Sequence, residues 1–294
     1  MAFVTTPLRY PGGKSVLTNF LRLVMIENGL RGGHYVEPYC GGAGAAVALL
    51  RSEAVSHIHL NDADPAVYAF WRTLANEPRV LIDFIGSVPL TVAAWRRQRE
   101  IYADASSGIR ARACAFFYLN RVNRSGILNG GLIGGLQQVG DWLMDARFNR
   151  GDLAQRIQNI ADYSDGITIS NLDALDFLRQ NNRNWPNRTL IYIDPPYYNK
   201  GQCLYRNHYE PEDHRRIASY MKSLKRRCWI ASYDAAPEIK DLYRGLEQQT
   251  FSLAYTARIR SQGREILIYG AGTRRPRVDN PAKVEKSRLF AAVA

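Results

Sequence analysis

The stretch "HYVEPYCGGAGAAVALLRSE", His34 to Glu53, decides the fold. Its first six residues are rich in aromatic and β-branched types and read as a strand. Gly41, Gly42 and Gly44 then let the backbone turn tightly and approach a ligand. From Gly42 onward the apolar spacing is helical. Strand, glycine turn and helix in direct succession form the first unit of an α/β domain. Six more segments read as strands: "HIHLND" from His57, "GITISN" from Gly166, "TLIYIDPP" from Thr189, "CWIASY" from Cys228, "QQTFSLAY" from Gln248 and "EILIYGA" from Glu265. Helical patterns separate several of them. One is "LDALDFLRQNN"; another, "PEDHRRIASYMKSLKRR", begins acidic and ends basic, as the helix dipole favours. The expected fold is α/β with a seven-stranded, mostly parallel sheet.

Between Asp62 and Gly166 the pattern changes. No convincing strand is present; "AVYAFWRTLANE", "TVAAWRRQREIYAD" and "RARACAFFYLNR" are helical, and the glycine-rich "NRSGILNGGLIGG" reads as a loop. A mostly helical insertion over residues 66–165 accounts for this. The α/β domain is then expected over 1–65 and 166–272, and residues 273–294 read as a flexible basic tail.

The net charge of +12 points to a polyanionic partner, most simply nucleic acid, against the plainer reading of a soluble basic surface. Basic residues cluster in "WRRQRE", "GIRAR", "KSLKRR" and "GTRRPR". No apolar run reaches the roughly 18 residues of a membrane span, so no membrane partner and a cytoplasmic location are expected. Cys40, Cys114, Cys203 and Cys228 form no CxxC pair, which argues against a metal site.

Glu37, Asp62, Asn171 with Asp173, and Asp194 all fall at or just past the carboxyl ends of expected strands. In an open parallel sheet those ends share one crevice. Acids also mark turns and helix caps, which explains single instances but not the whole row. Glu37, Pro38, Cys40, Gly41, Gly42 and Gly44 are candidate cofactor-binding residues at that crevice. No GK[ST] follows the glycines, so this is not a P-loop. The Glu37 carboxylate would repel a diphosphate and welcome a cation, and Asp62 is placed for ribose hydroxyls. A ribose joined to a positive charge is what S-adenosylmethionine offers. Near the N-terminus, "PLRYPGGKS" supplies Tyr10, a tight turn at Gly12 and Gly13, and Lys14, whose charge suits a ligand carboxylate. A plain Pro-Gly turn is the simpler reading of that motif taken alone.

The strand "LIYIDPPYYNKG", Leu190 to Gly201, ends in an acid, two prolines and two tyrosines. An adenine amine is a weak nucleophile because its lone pair is delocalised into the ring. Acceptors aimed at its hydrogens return that density to nitrogen. Asp194 and the carbonyl of Pro195 suit this, with Pro196 rigidifying the backbone and Tyr197 offering a flat face for the base. A base inside a duplex must be flipped out to reach such a site.

"DPPY", "EPYCGGAG" and "RYPGGK", in this order along the chain, resemble the Dam-type, D12-class DNA adenine N6-methyltransferases. "FFYLNR" and "RSQGREILIY" resemble further segments of the family, and the resemblance spans about residues 7–270. It implies a Rossmann-like class I S-adenosylmethionine-dependent methyltransferase fold with a helical target-recognition insertion. It implies S-adenosylmethionine at Tyr10, Lys14, Asp62 and Asp194, with Asp173 at the cofactor adenine. It also implies double-stranded DNA as partner, read by the loop Arg121 to Gly131 through Arg121, Asn123, Arg124 and Asn129. Loop structure is the alternative role of the last three. The chain departs from GATC-reading members: Arg124 stands where they have an aromatic residue and Asn129 where they have an arginine. RNA adenine or cytosine-N4 methylation, or a catalytically silent DNA-binding relative, are the rival readings. A monomer is expected, with a cognate nuclease or defence system as a candidate partner.

Overall fold

The computed structural model describes residues 6–10, 13–198, 209–255 and 261–291. A 3-10 turn at Lys14–Leu17 leads into α1 (Thr18–Glu27). Then follow β1 (His34–Glu37), α2 (Gly44–Arg51), β2 (His57–Asn61), α3 (Pro65–Asn76), α4 (Pro78–Ser87), α5 (Val92–Ala103), α6 (Ile109–Val122) and α7 (Arg150–Ala161). The chain continues through β3 (Ile167–Ser170), α8 (Ala174–Asn181), β4 (Thr189–Ile193), α9 (Pro211–Ser223), β5 (Cys228–Asp234), α10 (Pro237–Leu242), β6 (Glu247–Tyr255), β7 (Ser261–Tyr269) and α11 (Lys286–Ala291).

The seven strands form one sheet in the order β3-β2-β1-β4-β5-β7-β6. The first five are parallel: His34 pairs with His57 on one side and Thr189 on the other, and Leu190 pairs with Cys228. β7 inserts antiparallel between β5 and β6, pairing Ile230 with Tyr269 and Tyr269 with Glu247. The expected Rossmann-like, mostly parallel sheet is present.

Helices cover both faces, and every residue of β4 is buried. Alternate residues go to opposite sides. Tyr35, Leu190 and Tyr192 join a core with α1, α2 and the helices α3 to α7. Val36, Ile191 and Ile193 join a second core with α8, α9 and α10. The helices between β2 and β3 therefore share a core with the sheet. Trp71 of α3 reaches back to the glycine turn, its ring N–H donating to the Gly41 carbonyl at 2.8 Å.

Three differences from the sequence reading stand out. Helices α4 and α7 were not expected; α4 starts on Pro78 at its first turn, and α7 is capped by Asn149, which accepts from the Asp152 amide. The basic end of "KSLKRR" lies beyond α9, where the Arg227 guanidinium donates to the carbonyls of Asn182, Trp185 and Pro186. The segment read as a flexible tail packs on the body as far as it is described. Val278 and Leu289 are buried, Asn28 exchanges two hydrogen bonds with the Arg274 backbone, and Asn19 donates to the Val284 carbonyl. Pro276 and Pro281 are buried too, and Ala282 and Val284 pack against the core, at spacings that follow no strand or helix period. No helix among the described residues is long and apolar enough to cross a membrane.

Candidate active site

Glu37 is the last residue of β1; Asp62, Asn171 and Asp194 directly follow β2, β3 and β4. Because these strands are adjacent, the four groups stand along one edge of the sheet. The order reverses between β1 and β4, and a crevice opens at such a switch point. A cavity of about 370 Å3 lies there. Tyr10, Gly13, Lys14, Glu37, Pro38, Cys40, Gly41, Gly42, Gly44, Asp62, Asp173, Asp194 and Pro196 all line it. Gly12 lies outside the described residues. Asn171 does not line the cavity; its amide donates to the Asp62 carbonyl at 2.7 Å and so steadies the neighbouring wall. Asp173 both lines the cavity and caps α8, accepting from the amides of Leu175 and Asp176.

The glycine turn is shaped around Tyr10. A Cβ at Gly41 would sit 2.6 Å from the Tyr10 ring, and one at Gly42 would sit 2.8 Å from the Tyr10 Cβ. Gly41 also has φ of +43°, a left-handed conformation costly for any other residue. Its amide donates to Asp62 Oδ2 at 2.9 Å, tying the turn to β2. Tyr10 is positioned in turn by "FFYLNR": the Asn120 side chain accepts from the Arg9 amide and donates to the Arg9 carbonyl, both at 2.8 Å.

Three acids give the cavity its electrostatics. Burial pushes the Glu37 carboxyl up to about 8, although the Tyr35 hydroxyl donates to it at 2.8 Å. Burial likewise pushes Asp62 up to about 7, opposed by the amides of Asp64 and Gly41. Asp194 is also raised by burial; Lys14 opposes that shift and Glu265 adds to it. Both Glu37 and Asp62 thus hold protons near neutral pH that a cationic ligand would displace.

Lys14 lines the cavity and is also buried, with Nζ 3.0 Å from Asp194 Oδ1 and 3.5 Å from Glu265 Oε1. A buried ammonium requires such counter-charges. Tyr197 is buried and is not among the residues that line the cavity; its hydroxyl donates to Glu265 Oε1 at 2.6 Å and accepts from Lys14 Nζ at 3.2 Å. The Lys14 ammonium lies over its ring, 5.0 Å from the centroid. Pro195 is also outside the lining.

Two residues were missed by the sequence reading. Ser232 on β5 donates to Asp194 Oδ1 at 2.5 Å and is linked to the Tyr192 hydroxyl at 2.8 Å. Glu265 is a buried acid on the apolar strand β7, and an acid within "EILIY" is the signal that could have marked it.

The four residues assigned to DNA divide in two. Asn123 is buried: its side chain accepts from the Trp95 ring N–H at 2.8 Å and donates to the carbonyls of Ile127 and Leu128. These bonds are spent on Trp95 and the loop, which matches the loop-structure alternative for this residue. Arg121 is also turned inward, its guanidinium donating to the carbonyls of Arg147 and Pro7. Arg124 and Asn129 are exposed, and their side chains have no hydrogen-bond partner among the described residues. Ser125, between them, has φ of +57° and Gly126 +74°; a Cβ at Gly126 would lie 2.1 Å from the Arg9 carbonyl, so the loop is pressed against the segment leading to Tyr10. Beyond it, Leu136, Val139 and Trp142 are more than half exposed.

Comparison with curated proteins returns no match. A family model, that of the D12 class N6 adenine-specific DNA methyltransferases, matches residues 10–262, a span running from the Tyr10 cradle through the switch-point crevice to β7. With most of the sequence inside that match, the chain belongs to the D12 class N6 adenine-specific DNA methyltransferases.

Proposed function

We propose that the chain transfers a methyl group from S-adenosylmethionine to the exocyclic amine of adenine in duplex DNA, at a specific sequence, with the target base swung out of the helix. The observation that carries this reading is the carboxylate of Asp194 on the cavity wall, at the end of β4, beside the rigid Pro196. It supplies an acceptor for an amine hydrogen, which strengthens the nitrogen as a nucleophile.

The residues present fit the donor. A cavity of about 370 Å3 is within the usual size of a small-molecule site. A Cβ at Gly41 or Gly42 would collide with Tyr10, so the turn is built for close backbone approach. Two acids with raised affinity for protons suit a cationic ligand bearing hydroxyls. In this reading Glu37, Asp62, Asp173 and Tyr10 hold the donor. When bound, the sulfonium supplies an electrophilic methyl group.

The chain's own groups do the rest. Lys14 counters the burial of Asp194 and favours its ionised form. Ser232 fixes the orientation of the same carboxylate from β5. The residues between β2 and β3 form the target-reading part in this account, with Arg124 and Asn129 as its candidate DNA contacts. A stacked base cannot enter a crevice at the sheet edge, so extrusion is part of the proposal.

Labelled S-adenosylmethionine offered with duplex DNA and with RNA tests it. After digestion, N6-methyldeoxyadenosine is the expected product. Label confined to cytosine, to RNA, or to nothing would overturn the reading.

A further inference from the structure

Glu265 is 1% exposed and lies on the strand inserted between β5 and β6. Neighbouring Ile266, Leu267 and Ile268 are core residues. An acid here is expensive, since desolvating a carboxylate costs several kcal/mol and an apolar side chain would pack at less cost. Its Oε1 contacts are the Tyr197 hydroxyl at 2.6 Å and Lys14 Nζ at 3.5 Å. Lys14 is at the same time 3.0 Å from Asp194 Oδ1. One ammonium is therefore held between two carboxylates, and only one of these, Asp194, lines the cavity.

That geometry bears on the acceptor role of Asp194, and the inference rests on the methyl-transfer reading above. A lysine held by Asp194 alone would draw electron density from the oxygen that must accept the amine hydrogen. A second carboxylate behind it divides the lysine's hydrogen bonds. We propose that Glu265 is a positioning residue: it shares Lys14 with Asp194, so that Asp194 remains a strong acceptor for the target amine. The Tyr197 hydroxyl completes the arrangement by donating to Glu265 and accepting from Lys14. Glu265 also adds negative charge near Asp194 and favours its protonated form, the opposite of what Lys14 does. Acid strength at Asp194 is thus a balance struck by two residues, one of them remote from the cavity.

The test is Glu265→Gln, which keeps the shape and removes the charge. Three quantities are read: the single-turnover rate of methyl transfer against pH, the affinity for S-adenosylmethionine, and the titration of Asp194 followed by carboxyl carbon NMR. The expected result is a rate about tenfold lower at its plateau, smaller than the roughly 100-fold or greater loss typical of a group that contacts the reacting atoms, because Glu265 acts through Lys14. Donor affinity stays within about twofold, because Glu265 does not line the cavity. The acid limb of the rate profile and the Asp194 midpoint both move to lower pH, as expected for removing a nearby like charge. A residue that merely fills β7 would change the melting temperature and leave both midpoints in place, and that outcome overturns the proposal, as does a wild-type rate. Glu265→Asp guards against a Gln variant that does not fold. It keeps the charge at shorter reach and is expected to lose part of the rate at unchanged donor affinity; full activity in it overturns the proposal. A wild-type chain that methylates no DNA would contradict the proposed function, while the Asp194 titration would still decide the role of Glu265.

Discussion

Lys14 Nζ and Asp194 Oδ1 are 3.0 Å apart, and the lysine side chain is only 4% exposed. The pair joins the segment before α1 to the end of β4, and Lys14 is the cation that lowers the Asp194 pKa against its burial. Lys14→Met is therefore expected to raise that pKa. The acid limb of the rate profile moves to higher pH, and at neutral pH methyl transfer falls about 100-fold, a typical loss for one preorganised charge. Raising the pH should recover part of the rate. A uniform loss at all pH values would show that the lysine acts otherwise.

Gly41 combines φ of +43° with a Cβ position 2.6 Å from the Tyr10 ring. Gly41→Ala is expected to destabilise the chain by at least about 1 kcal/mol from the backbone term alone. It should also weaken S-adenosylmethionine binding, since Tyr10 must move. Thermal melting and calorimetry check both effects. Tyr10→Ala in the same chain should relieve the clash and restore part of the stability.

Much of this site could be read from the sequence because backbone logic places it. Strand ends and the glycine turn follow from local pattern, and the parallel order of β3, β2, β1 and β4 in the sheet brings Glu37, Asp62 and Asp194 together. The partners of those groups could not be read in that way. Glu265 and Ser232 reach Asp194 and Lys14 only through the pairing of β5 and β7 with the sheet. Lys14 and Tyr197 carried suitable chemistry, but nothing local says that each satisfies the other inside the protein. Asn123 sits in a polar, glycine-rich loop, and only the tertiary fold brings the Trp95 ring N–H to it.

In the proposed reading, Glu37 and Asp62 tie donor binding to protons. Their folded pKa values, about 8 and about 7, lie above the ordinary 4.5 and 3.8. The stability these groups contribute is complete below pH of roughly 4 and is lost as pH rises through 7 to 8. A bound cation favours their ionised forms. Calorimetry near pH 7 in buffers of different ionisation enthalpy should therefore show protons released on S-adenosylmethionine binding, approaching about one per complex. Proton uptake would contradict the placement of the cation near these acids.

Asn123 and Arg124 are neighbours with opposite expectations. Asn123→Ala strands the Trp95 ring N–H and two carbonyls, and should cost about 2–4 kcal/mol in denaturant unfolding. Arg124 is exposed, so Arg124→Ala should leave stability within about 0.5 kcal/mol. Its effect should appear in DNA binding, weakened, with the salt dependence reduced by about one ion. Unchanged DNA affinity would remove Arg124 from the interface.

Asp194→Asn decides the central claim most directly. The amide keeps the size of the side chain but accepts an amine hydrogen far less strongly than a carboxylate. Single-turnover methyl transfer to adenine in duplex DNA, measured at saturating S-adenosylmethionine, is predicted to fall at least about 100-fold. Transfer at the wild-type rate would contradict the assignment of that carboxylate as the acceptor on which the chemistry depends.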